Sequence, residues 1–269
     1  MAQMCVFFAD VLGFGRLSET LLGSAQDSLA AIANLLSRED VLGEILNRPG
    51  WVARYGLSDS LFLVSEAPEE AVAAAAEIFF NLAYVSHAGP APVLMRGGIA
   101  KGQVAQVGPL FPESAKANLV GPAVVEAVRL EKTPLKGPRL FVASALAAEI
   151  EHGNSGLRWL LDRREAMCEI LWPLPPRADQ ANGHLIGELC GKALALVERN
   201  AGDPEAGNHY LGYLDIAVRS LFRLLEARPE QAAAAIESSR FKERANRLEA
   251  LLMSPELTLI DMIRDLAGR

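Results

Sequence analysis

Two carboxylates stand where their type and surroundings could do chemistry. Asp10 ends an apolar run, M-C-V-F-F-A-D over 4–10, and a glycine-bearing turn, Val11 to Phe14, follows at once. A carboxylate at the end of a buried strand is costly unless something pairs with it. A metal ion is the usual partner beside a glycine turn that offers backbone N–H groups, so the pattern suggests a metal-polyphosphate site. Asp59 lies at the tip of 51–65, W-V-A-R-Y-G-L-S-D-S-L-F-L-V-S, which reads as a hairpin with Gly56 and Asp59 in its turn. Two carboxylates brought close repel unless cations sit between them. Two divalent metals fit there, and they would bridge and activate a nucleoside triphosphate.

The elements that must position this pair follow from the apolar pattern. Residues 4–9 read as a buried strand, 16–37 as a helix, with a short helical piece after it to Leu46. Pro49-Gly50 breaks the pattern before the hairpin. Pro68, Glu69 and Glu70 open an alanine-rich helix that runs to about 84–86. Val93 to Val104 is a strand interrupted by Gly97-Gly98, a pair that marks a bulge or a close backbone approach. Residues 105–120 read as an irregular loop and 121–131 as a helix. A strand at 139–142, a helix at 143–151 and a strand pair at 157–161 and 167–172 complete this half.

After the proline-rich break at 173–176 the pattern is helical only, near 183–199, 207–227, 229–237, 240–253 and 256–267. The second of these carries Leu211, Leu214, Val218, Leu221, Phe222 and Leu225 on one face. The expected fold is α+β: a ferredoxin-like antiparallel sheet with helices over 1–173, then a C-terminal α-helical region over 177–269 that packs on the core and the dimer.

Composition narrows the partners. The chain has 269 residues, 51% hydrophobic and 22% charged, enough for a sizeable core. A formal net charge of −7 disfavours a nucleic-acid polymer or an anionic membrane as the main partner. Cys5, Cys168 and Cys190 lie in apolar runs without metal-ligand spacing and read as reduced core residues. His87, His152, His184 and His209 are too scattered for a zinc site. No apolar run reaches the ~20 residues that span a bilayer, and the N-terminus lacks a signal peptide's basic flank. The expectation is a soluble, cytoplasmic protein.

The motifs taken in order resemble the class III nucleotidyl cyclases. D-V-L-G-F (Asp10 to Phe14) is similar to the first metal-Asp turn of that family, and Y-G-L-S-D-S (Tyr55 to Ser60) to the hairpin tip with the second. R-G-G-I-A-K-G from Arg96 and G-P-A-V-V-E-A-V-R-L-E from Gly121 look like the following glycine strand and the helix bearing a transition-state arginine. The wording is closest to the bacterial pyrimidine cyclases of Pycsar antiphage defence.

The resemblance implies a lyase that makes cyclic UMP or cyclic CMP from UTP or CTP, as a homodimer with its active sites at the subunit interface. Asp10, Asp59 and the backbone of Val11 would hold two Mg²⁺ or Mn²⁺ ions, and Val11, Leu12, Gly13 and Phe14 would touch metal and phosphates. Tyr55 and Asn118 would stand at the base-reading positions, Arg129 would stabilise the pentavalent α-phosphate, and Arg163 would meet the terminal phosphates. A monomer would then be inactive. Two positions depart from the family: Val125 replaces its catalytic Asn, and Tyr55 replaces the usual base-reading lysine. A phenol can donate or accept beside a smaller pyrimidine edge. A purine cyclase and a catalytically silent, nucleotide-binding signalling module are the alternatives.

Each residue also has a plainer use. Asp10 could cap the next helix, Asp59 could be an ordinary turn residue, and Tyr55 could simply pack in its strand. Asn118 could be a loop residue, Arg129 could pair with Glu126 or Glu131 on a helix surface, and Arg163 could be a solvated turn charge.

Overall fold

The computed structural model describes residues 2–38, 40, 43, 46, 47, 50–86, 92–108, 118–153, 155–164, 167–200 and 202–240. The helices expected at 240–253 and 256–267, and most of the short piece ending at Leu46, lie outside the described residues.

Strand β1 (Ala2–Val11) is longer than its apolar run, because β4 pairs with it from Ala2 to Val11, while β3 pairs with it from Cys5 to Asp10. The helix expected over 16–37 is two helices, α1 (Phe14–Thr20) and α2 (Leu22–Ser37). Leu21 between them leaves helical geometry, with φ −145° and ψ 68°. Strands β2 (Trp51–Leu57) and β3 (Ser60–Ser65) form the expected hairpin, except that Gly56, expected in the turn, lies in β2 opposite Leu61. Helix α3 (Pro68–Val85) starts with proline in its first turn and two acids that suit the helix dipole.

Strand β4 (Met95–Val107) runs past the expected end at 104. Part of the expected loop is strand: β5 (Asn118–Val120) pairs with β4, Ala105 opposite Val120 and Val107 opposite Asn118. Backbone pairing extends both segments although their side chains do not alternate cleanly. Helix α4 (Pro122–Glu131) and strand β6 (Leu140–Val142) follow, then α5 (Ser144–His152). Of the strand expected at 157–161, residues 157–160 lie instead in a 3₁₀ turn (Gly156–Leu160) capped by the Ser155 hydroxyl, and the strand pair shifts to β7 (Leu161–Arg164) and β8 (Met167–Ile170).

Among the described residues these strands make one sheet in the order β2-β3-β1-β4-β6-β8-β7, with β5 on β4. The first four strands stand β4-β1-β3-β2 and pair antiparallel throughout. With α1–α2 between β1 and β2, and α3 between β3 and β4, this is the ferredoxin-like arrangement. Alternation gives β1 two buried faces. Phe7 points toward α3, its ring 6.2 Å from that of Phe79. Val6 and Phe8 point the other way, into a cluster with Ala100, Val104, Ala123 and Ala127 of β4 and α4.

Glycine admits α4 to that second face. A Cβ at Gly98 would lie 2.2 Å from the Ala127 carbonyl oxygen and 2.6 Å from Leu130 Cβ, so the helix rests on bare backbone there. The Gly97-Gly98 pair therefore marks a close approach rather than a bulge: β1 and β4 stay in unbroken register through it.

Among the described residues, those within 1–134 and 140–170 form one compact unit and those within 135–139 and 171–269 the other, whereas the sequence pattern placed the division at 173–177. Within the second unit, α6 (Gly183–Arg199), α7 (Pro204–Ala227) and α8 (Pro229–Ser239) pack on one another. α6 presents Gly183 and Gly187 to the backbone of α8, where a Cβ would fall 2.1 Å from the Gln231 oxygen and 2.4 Å from the Ala235 oxygen. α7 is more enclosed than a single apolar face implies: Tyr213, Ile216 and Ala217 are buried as well as Leu214, Val218 and Leu221. The 135–139 strap accounts for part of this, because Gly137 (φ 99°) crosses against Gly212. Trp172 Nε1 donates to the Pro138 oxygen at 2.7 Å, and Arg139 and Arg219 share the Asp215 carboxylate. Among the described residues no helix is long and apolar enough to cross a membrane.

Candidate active site

The strand register writes out one face of the sheet as rows. Arg96, Asp10, Ser60 and Leu57 stand abreast across β4, β1, β3 and β2. The next row is Gly98, Phe8, Phe62 and Tyr55, and the one below it Ala100, Val6, Val64 and Ala53. Successive rows on one face are two residues apart along each strand. The aromatic row supports the polar one, with the Phe8 and Phe62 rings 4.5 Å apart.

Asp10 is the centre of the polar row. The Ser60 hydroxyl donates to its Oδ1 at 2.7 Å. The hairpin tip is a two-residue turn, Ser58-Asp59, in which Ser58 takes a φ of 54°. That sharp turn brings Asp59 back beside the end of β1, where the Val11 amide donates to the Asp59 carbonyl at 3.2 Å. The Asp10 carboxyl is held above the usual carboxylate range, first by burial. The Ser60 hydrogen bond opposes that rise, the adjoining Asp59 carboxyl adds to it, and the Arg96 charge opposes it.

The two acids expected to meet do lie side by side. Ser60, which the sequence offered only as part of the tip, lies against them. Its signal was a hydroxyl flanking an acid, too common to single out.

The turn after β1 contributes less than expected. The Val11 amide is engaged by Asp59, and the Leu12 amide donates to the Leu94 carbonyl at 2.8 Å. Two of the turn's N–H groups therefore close the sheet instead of facing a phosphate, and the group Val11 could offer a cation is its carbonyl. Gly13 takes a φ of 73° and lets the chain turn directly into α1.

Two carboxylates and a carbonyl are hard oxygen donors, the set that Mg²⁺ and Mn²⁺ take, with water or phosphate oxygens completing the shell. The raised Asp10 carboxyl beside a second acid is a charge arrangement that a cation would relieve. The residues fit such an ion. Among the described residues no group of three or more His, Cys, Asp or Glu could hold a metal.

The other candidate residues are dispersed. Tyr55 is half-buried against the core cluster, on the face of Asp10. It lies two strands and two residues away, about 10 Å across and about 7 Å along. Asn118 is on β5, its Nδ2 donating to the Gly108 carbonyl at 3.0 Å. Arg129 is on the outer face of α4, with its side chain 74% exposed and paired with Glu126 at 2.8 Å. Val125, one turn earlier, is 68% exposed. Arg163 makes two hydrogen bonds to Glu151, at 2.8 and 2.6 Å. It sits on β7, four strands from β1 and so about 19 Å from Asp10 of its own chain. One chain brings together Asp10, Asp59, Val11, Ser60 and Arg96; Arg129, Asn118 and Arg163 point elsewhere, to surfaces where each has an intrachain partner.

No protein-family model matches the chain, and no curated protein matches it. Among solved structures it is similar to the guanylyl cyclase domain of the RhoGC fusion protein from the aquatic fungus Blastocladiella emersonii. That likeness is 22% identity over 62% of this chain and 92% of the other, with a TM-score of 0.49. It is also similar to a bacterial light-regulated adenylyl cyclase, at 17% identity over 62% and 88% with a TM-score of 0.45. A third is the guanylate cyclase domain of RhGC from Catenaria anguillulae in complex with GTP, at 24% identity over 56% and 82% with a TM-score of 0.45. The fold assignment stands on the chain's own strand order.

Proposed function

We propose that this chain is a metal-dependent nucleotidyl cyclase of the class III kind. It works as a homodimer and converts a pyrimidine nucleoside triphosphate, UTP in preference to CTP, to the 3′,5′-cyclic monophosphate and pyrophosphate, a second messenger for antiphage defence. The observation that carries this reading is the meeting of Asp10 and Asp59 at the end of β1 and the tip of the β2–β3 hairpin. The catalytic part would be 1–173, followed by a helical part over 177–269.

The carboxylates of Asp10 and Asp59, with the Val11 carbonyl, would hold two Mg²⁺ or Mn²⁺ ions, which supply neutralisation of the triphosphate and a lowered pKa for the ribose 3′-hydroxyl. Ser60 holds Asp10 in the orientation this requires. In the reaction the 3′-oxygen bonds to the α-phosphorus, the bond to the pyrophosphate oxygen breaks, and the hydroxyl proton leaves to solvent. Arg129 faces the charge that develops on the α-phosphate of a site completed by the partner, for which its exposed position on α4 suits it. Tyr55 and Asn118 meet the base, and Arg163 the terminal phosphates. Gly13 and Phe14 border the triphosphate at the start of α1.

Purified protein incubated with Mn²⁺ and each of the four nucleoside triphosphates tests this directly. The expected product by mass spectrometry is cyclic UMP, with less cyclic CMP, and none from the Asp59→Ala variant. A cyclic purine nucleotide instead would sink the pyrimidine assignment, and no cyclic product at all would sink the cyclase. One observation favours the silent module as a second reading. Val125 offers an exposed apolar side chain where a polar amide would act; nucleotide and Mn²⁺ binding without turnover is its signature.

A further inference from the structure

Arg96 stands abreast of Asp10 in the ladder between β1 and β4, yet its guanidinium reaches toward a helix end. Nη2 donates to the Glu131 carbonyl at 2.6 Å and to the Thr133 carbonyl at 2.7 Å, the last residue of α4 and the chain just beyond it. Carbonyls at a helix C-terminus have no partner within the helix, and a cation there also meets the negative end of the dipole. Nε lies 3.9 Å from Glu131 Oε1, with both side chains only 13% exposed. Two residues along β4, Gly98 lets α4 rest on the strand backbone at Ala127 and Leu130. The helix is thus seated in its middle by the absence of a side chain and tied at its end by the presence of one. Burial raises the Glu131 carboxyl, Arg96 pulls it down, and Asp10 pushes it up, so all three groups lie within one another's fields.

We infer that Arg96 is a positioning residue: it fixes the C-terminal end of α4, and with it Arg129, relative to the Asp10–Ser60 row. The inference rests on the cyclase reading for what Arg129 does, but the tie itself is independent of it. A guanidinium suits the tie because Nη2, at the far end of a long planar group, reaches both carbonyls while Nε stays 3.9 Å from the Glu131 carboxylate; a lysine carries one compact charge on a shorter stem. Arg129 lies half a turn before the tied end, so loosening that end moves the group whose placement matters most to the rate.

Two measurements on the full-length protein test this. Hydrogen exchange reads the tie without any reaction. In Arg96→Gln the Lys132 and Thr133 amides should exchange about tenfold faster or more, while those of Phe7 and Ile99 stay protected; unchanged exchange at 132 and 133 would overturn the inference. Steady-state kinetics read the consequence. Arg96→Lys should lower kcat about tenfold with KM nearly constant, and should add nothing once Arg129→Ala is present. Losses that multiply in the double variant, or a raised KM with unchanged kcat, would make Arg96 a direct substrate contact and refute the positioning role. If the unaltered protein cyclises no nucleotide, the cyclase reading fails, and the exchange result alone decides whether Arg96 holds the helix.

Discussion

The Ser60 hydroxyl donates to the Asp10 carboxylate at 2.7 Å, joining residues fifty positions apart in the chain. Asp10 is half-buried, so the bond offsets part of the cost of keeping a charge there. It also fixes one carboxylate oxygen, leaving the other for a cation. If Asp10 holds the proposed ion, a partner of this kind, one step removed from it, sets both orientation and affinity. Ser60→Ala is therefore expected to weaken Mn²⁺ binding about tenfold, read by calorimetric titration of the full chain. Unaltered affinity would remove Ser60 from the site.

Gly98 admits α4 to the sheet, so Gly98→Ala places a carbon 2.2 Å from the Ala127 oxygen, which is backbone and cannot rotate away. The helix must move or the strand must bend. Destabilisation of about 2 kcal/mol or more is expected from urea unfolding. Gly102→Ala is the control. Its added carbon would meet Ala123 Cβ at an ordinary 3.5 Å, and its loss should be far smaller.

Gly187 reverses a general rule. Glycine inside a helix usually costs about 1 kcal/mol against alanine, so Gly187→Ala would stabilise α6 in isolation. Here the new carbon would lie 2.4 Å from the Ala235 oxygen and 2.8 Å from Ser238 Cβ, and the packing of α6 on α8 outweighs propensity. The expected result is a lower thermal midpoint. Gly23→Ala in α2, with nothing within 4 Å of the added carbon, should raise it. The same sign for both substitutions would refute the packing account.

The three cysteines should be chemically silent in the folded chain. Burial pushes Cys5 up to about 12 and Cys168 up to about 11, and Cys190, wholly enclosed, is pushed up too. At pH 8 all three remain thiols, and the thiolate is the reactive form. Ellman's reagent at that pH is expected to find no reactive thiol in native protein and three per chain in denaturant. A fast-reacting thiol in the native state would contradict the burial seen here.

The sequence by itself determined the acid at the end of β1, the hairpin and its tip, the helix after Pro68 and the ferredoxin-like order of elements. These are local matters. Period-two alternation, a turn with an acid at its tip and a proline-led alanine run each specify their own stretch of chain. What lies between strands was not legible. Nothing near Ser60 says it faces Asp10, because register is set by burying whole faces of the sheet at once. Nothing near Arg96 says it stands abreast of Asp10 while holding the end of α4. The glycine pair beside it was visible, but bulge and close approach look alike until the helix that needs the space is in place. Likewise β5 and the extension of β4 arise from backbone pairing, which leaves little trace in side-chain pattern. Folding alone set Asp59 and Ser60 beside Asp10 while Arg129, Asn118 and Arg163 lie on other surfaces of the same chain, since distance across a sheet depends on strand order and not on separation in sequence.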